Sequence, residues 1–184
     1  MAEYQFNPFE DRLSRDIRND LSEGLAKAIE TGNTSILSAT LAGYRQQPLA
    51  DCYREYLEDR FHRYQQALEI IGKGITDPIH RGLILWNLGL FFEVHEVLEH
   101  AWYSAKGRMK LTLQALIRSA GVYIKREYGF HEAADRIAAK AVVVLEANTD
   151  ILQNYFPPEE LTKALQNPDA PPPKLTIHRA PDNR

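Results

Sequence analysis

Apolar positions recur at three- and four-residue steps along most of the chain, and no segment alternates apolar with polar at a period of two. The pattern predicts helices and no sheet. From about Pro8 to Glu30, one stripe runs through Leu13, Ile17, Leu21, Leu25, Ala28 and Ile29, and Gly32-Asn33 closes it. A short helix is expected over Ser35 to Tyr44, and a long one from about Ala50 to Lys73. On the long helix, Tyr53, Tyr56, Leu57, Arg60, Phe61, Tyr64, Leu68 and Ile71 form an aromatic-rich stripe, read as core. After Asp77-Pro78 a fourth helix takes Ile79 to about Leu88, and Gly89 marks a tight turn. A fifth helix then ends near Lys106-Gly107, a sixth covers about Met109 to Tyr128, and Gly129 breaks it. A seventh spans about His131 to Asn148, and a short last helix covers Glu159 to Leu165.

The resulting expectation is an all-α multihelical bundle of helical hairpins with about seven or eight helices. Residues 1–78 are expected to be an N-terminal helical layer packed on a motif-bearing hairpin core at 79–148. A short helical segment at 149–167 and a disordered Pro-rich tail at 168–184 complete a single globular domain. A weak internal repeat supports the hairpins. Phe92-Glu-Val-His-Glu-Val-Leu98 matches His131-Glu-Ala-Ala-Asp-Arg-Ile137 at a spacing of 39, each copy following a glycine-marked turn.

The fifth helix concentrates chemistry. Between Phe91 and Trp102 it carries Glu93, His95, Glu96, Glu99 and His100 among large apolar groups. At 100° per residue, His95 and Glu99 lie within about 40° of each other, between Phe92 and Trp102. They are therefore read as an interior pair, with Glu93, Glu96 and His100 on the flank toward water. On the sixth helix, Gln114, Arg118, Gly121 and Lys125 share one stripe within an otherwise apolar circumference, with Thr112, Ser119 and Arg126 at the wet edge. Buried cations need partners, and Glu99, Glu96 and His95 are the nearest expected ones.

The run Phe92-Glu-x-His95-Glu-x-Leu98-Glu99-x-x-Trp102, followed by Leu113-Gln114-x-Leu116-Ile117, resembles the family catalogued as domain of unknown function 309, whose signature is His-x-x-x-Glu-x-x-Trp/Tyr. The resemblance extends from about Leu85 to Leu145. It implies a multihelical fold and a metal-binding role, with His95 and Glu99 as ligands, Trp102 as an aromatic wall and Gln114 as the facing polar group. The chain departs from the family pattern at Lys125, where a second histidine is usual, and at Arg118, where an uncharged polar residue is usual.

Composition narrows the function classes. The 184 residues carry a formal charge of −3, so no basic field exists to attract nucleic acid or anionic lipid. The single cysteine, Cys52, excludes an internal disulfide framework and a multi-cysteine zinc site. No apolar run is long enough to span a bilayer, and the first residues lack the order of a signal peptide, so the expected setting is cytoplasmic. No nucleotide fingerprint or nucleophile elbow is present, and no catalytic residue can be named.

Three readings of the motif remain open. The favoured one is a structural charge network in which Glu99 and Glu96 neutralise Arg118 and Lys125 with His95 as a bonding member. The second is a divalent metal held by His95 and Glu99, which could serve metal-dependent hydrolysis. The third is a pocket for a small anionic ligand, or a protein-binding face.

Overall fold

The computed structural model describes residues 5–178, and among them every regular element is helical. Among the described residues nine helices follow one another, one more than the sequence pattern predicts because a single extra turn forms at Thr149–Leu152. The described residues fall into two compact units, one up to Gly74 and one from Ile75. Among them, no helix is long and apolar enough to cross a membrane.

The first unit holds α1 (Arg12–Thr31), α2 (Ser35–Arg45) and α3 (Asp51–Ile71). Helix α1 begins at Arg12, four residues later than its apolar stripe suggests. Asp11 caps it by accepting from the N–H groups of Leu13 and Ser14. Burial pushes the Asp11 carboxyl upward, yet hydrogen bonds from Ser14, the Tyr53 hydroxyl and Leu13 N–H outweigh burial and hold it below the usual carboxylate range. The aromatic stripe of α3 lies in the core as expected, with Tyr64 and Leu57 nearly sealed from solvent. Residues 1–7 are expected to be loose. Residues 1–4 lie outside the described part, and Phe6 stacks on Tyr56 with centroids 3.7 Å apart.

The second unit is built from two hairpins. Helix α4 (Pro78–Asn87) turns into α5 (Phe91–Ser104), and α6 (Gly107–Glu127) turns into α7 (His131–Ala147); α8 (Thr149–Leu152) and α9 (Pro158–Gln166) follow. Both hairpins use the same turn. A glycine at φ 71° (Gly89) or 77° (Gly129) occupies the left-handed region that favours glycine. The next residue, Leu90 or Phe130, sits at φ/ψ −95/58° or −85/57° and leads into the helix. The two turns are forty residues apart, Gly89 to Gly129, which corrects the 39-residue spacing of the sequence pattern by one. Residue similarity misled there because turn geometry, not side-chain likeness, sets the register.

Trp86 and Tyr123 join the hairpins, their rings 5.4 Å apart edge to face, with Phe91 against both. Within the first hairpin the backbones approach closely at Gly82. A Cβ placed there would meet Leu98 Cδ2 at 3.0 Å.

The stretch expected to be a disordered tail is ordered where it can be described. Residues 168–178 form no helix, yet Leu175 is 4% exposed and the backbone is hydrogen-bonded to Trp86 and Asn87. Prolines forbid a helix there but fit an extended path. Residues 179–184 of the expected tail lie outside the described part.

Candidate functional site

Helix α5 buries Glu93, Val94, Val97 and Leu98. This face is rotated away from the one the sequence pattern selects. His95, Glu96 and Glu99 sit on the rim, their side chains 36%, 29% and 36% exposed. The expectation that His95 and Glu99 form an interior pair is therefore corrected, and so is the placement of Glu93 toward water. Glu93 is 1% exposed. It lies in the first turn of α5, where the helix N-terminus favours negative charge. A helical wheel fixes the angles between residues but not which sector neighbouring helices will cover.

On that rim the three side chains converge. His95 Nδ1 is 3.4 Å from Glu96 Oε1 and 4.0 Å from Glu99 Oε2. One donor atom from each residue lies within 4.8 Å of the other two. Residues i and i+4 share a helix face, and the Glu96 side chain reaches back to join them. Phe92 stacks near the imidazole at 6.3 Å. Trp102, one turn beyond Glu99, is half-buried, with the Lys110 ammonium 4.3 Å from its ring centroid. Its indole N–H is buried with no acceptor among the described residues.

Helix α6 presents the facing residues differently from expectation. It buries Thr112, Leu113, Ala115, Leu116, Ser119, Ala120, Val122 and Tyr123. Thr112 and Ser119, expected at the wet edge, are sealed in the interior. Each satisfies its hydroxyl on its own helix, Thr112 at Arg108 O (2.9 Å) and Ser119 at Ala115 O (2.8 Å). Gln114, Arg118, Gly121 and Lys125 therefore lie on the opposite, half-exposed side. A Cβ at Gly121 would meet nothing within 4 Å.

Among the described residues no ion pair joins Arg118 to Glu96 or Glu99. Lys125 stands over the Phe130 ring at 4.9 Å. A half-exposed cation retains solvent and needs no carboxylate, so the expected partnership of Glu99 and Glu96 with Arg118 does not form. The cation of α6 that is enclosed is Arg126, whose side chain is 10% exposed and 3.8 Å from Asp135.

Residues 79–137 match the family described as Domain of unknown function (DUF309). The match covers about a third of the chain and includes α4, α5, α6 and the start of α7. The resemblance carried by the motif thus holds for this segment. No curated protein and no solved structure matches the chain. The triad belongs entirely to the DUF309 segment, as do Trp102, Gln114, Arg118 and Lys125.

The donor set suits a divalent transition metal. One imidazole nitrogen with two carboxylate oxygens is a common combination for zinc, manganese or iron, and differs from the all-oxygen cages of calcium. Ligand atoms on one zinc, each at about 2 Å, stand roughly 3–3.5 Å apart. The 3.4 Å separation of His95 and Glu96 meets this, whereas Glu99, 4.0 Å from His95 in a set spread over up to 4.8 Å, has to move closer for all three to share one ion.

Proposed function

We propose that the DUF309 segment is a helical metal-binding module in which His95, Glu96 and Glu99 hold one divalent transition-metal ion. The observation that carries this reading is the convergence of three donor atoms within 4.8 Å on a half-exposed helix rim. With three protein ligands and solvent access, such an ion keeps positions open for water or a small molecule and would act there as a Lewis acid. Trp102 lies on the same face with a buried indole N–H to offer, and a donor left unmet costs about 1–3 kcal/mol. Arg118 and Gln114 supply further polar groups on α6. A net charge of −3 and a single cysteine support a cytoplasmic setting without nucleic-acid partners.

A second reading rests on the same distances. With the imidazole protonated, His95 is a cation between Glu96 and Glu99, and the triad is a local charge network without Arg118. Elemental analysis of protein purified without chelator or affinity metal, together with calorimetric titration with zinc and manganese, separates the two. The metal reading expects about one equivalent per chain. His95→Ala and Glu99→Gln should each abolish it while leaving helical circular dichroism intact, and Arg118→Met should retain it. Absence of binding for every ion tested would leave the charge network alone.

A further inference from the structure

The extended segment after α9 is held in an unusual manner. Apart from the Lys174 ammonium, which donates to Asn87 O, its bonds to the helices fall on its main chain. Trp86 Nε1 donates to Pro173 O (2.9 Å), and the Asn87 side chain brackets Leu175, donating to its carbonyl and accepting from its N–H at 2.8 Å each. Arg126 Nη1 donates to Ala170 O (3.4 Å). His80 Nε2 lies 3.1 Å from His178 O, and His178 N–H donates to Tyr155 O (2.7 Å). Of the side chains from 168 to 178, Leu175 alone is buried.

This is the contact pattern of a receptor reading an extended peptide. Main-chain hydrogen bonds supply affinity and one apolar socket supplies an anchor. The donors are prepositioned on rigid helices, and Trp86 and His80 are themselves buried at 3% and 4% exposure. Loss of the segment would take away the acceptor of Trp86 Nε1 and the carbonyl at His80 Nε2, although His80 Nδ1 keeps Asp77 Oδ1 at 3.1 Å, and the cost favours a replacement. The groove asks for N–H only at the positions of Leu175 and His178, so prolines are accepted at 171, 172 and 173, where this chain has them. A segment fastened by one buried side chain opens more readily than a core helix.

We propose that the α4 groove around Trp86 and Asn87 is a peptide-binding site for an extended, proline-rich segment with a leucine anchor. Residues 170–178 occupy it in cis and compete with a partner segment of the same chemistry. A tethered competitor acts at high effective concentration and lowers apparent affinity for the partner in proportion to its occupancy.

The probe is a fluorescein-labelled peptide carrying residues 168–178, titrated into the full chain by fluorescence anisotropy. Leu175→Asp in the protein should release the segment and tighten peptide binding by roughly tenfold or more. Asn87→Ala added to that variant should remove binding, and a peptide with aspartate in place of its leucine should not bind. A folded Leu175→Asp chain that binds no better than wild type overturns the proposal, as does binding indifferent to Asn87 or to the leucine. Should Leu175→Asp lose its helical signal, native-state hydrogen exchange of the unaltered chain decides. Exchange of the Leu175 and His178 amides well ahead of the α6 core amides supports a detachable segment, and exchange together with them overturns it.

Discussion

The α4–α5 and α6–α7 hairpins share a turn but little else. Moving forty residues along the chain carries Gly89 onto Gly129, Leu90 onto Phe130, and the first residue of α5 onto the first of α7. It also carries His95, Glu96 and Glu99 onto Asp135, Arg136 and Ala139, which form no cluster of metal donors. The packing is complementary as well. The first hairpin sets Gly82 on α4 against Leu98 on α5, whereas the equivalent positions of the second are Val122 and Ala138. The large residue has moved from the second helix to the first, and all four positions are buried. The scaffold repeats while chemistry and packing detail diverge, so the fold does not by itself produce the triad.

Grafting tests that separation most strongly. Asp135→His, Arg136→Glu and Ala139→Glu together place the triad residues on α7 at exposed positions. If three side chains on a helix rim suffice, metal content should rise from about one to about two equivalents per chain. A variant that stays at one, with α7 intact, would show that the first hairpin contributes more than these three groups.

The packing exchange has a smaller expected effect. Gly82→Val should destabilise the second unit by about 1–3 kcal/mol in denaturant unfolding, since even a Cβ there is 3.0 Å from Leu98 Cδ2. Adding Leu98→Ala should recover part of the loss, giving a coupling opposite in sign to simple addition. Strict additivity would mean that the two positions do not share one space.

The smallest effect concerns how the second hairpin is fastened. Arg108, at the start of α6, holds the far end of α7 through Ala147 O, Asn148 Oδ1 and both oxygens of Asp150. Hydrogen bonding from Arg108 holds the Asp150 carboxyl below its ordinary value. A depressed carboxyl contributes stability that is complete above the unfolded pKa of about 3.9 and is lost as pH falls through the lower folded value. Arg108→Met should therefore flatten the acid limb of the stability profile slightly and leave neutral metal binding unchanged. Equal acid sensitivity in both proteins would remove Asp150 from the account.

Much of this architecture was legible in the sequence because it depends on local signals. Gly89 and Gly129 marked the hairpin turns, Asp77-Pro78 marked the start of α4, and every helix from seven residues upward was anticipated within a few positions. The location of the motif was equally clear. Its environment was not, because burial is decided by neighbours that a single helix does not reveal. Thr112 and Ser119 read as wet but satisfy themselves on their own backbone, while Arg118 and Lys125 read as buried but lie at the rim. Asn87 gave no signal at all. Its role depends on carbonyl and amide groups 88 residues away, and every residue type except proline offers both.

One feature of the triad bears on kinetics. All three donors lie within five consecutive residues of a single helix, so no long loop must close and no second element must dock before an ion is captured. If the triad holds an ion as proposed, folding and loading are separate events, unlike a structural zinc finger that forms only around its metal. The protein would emerge complete without the ion. Its occupancy would follow the free-ion level around it from moment to moment, rather than the supply present when the chain was made.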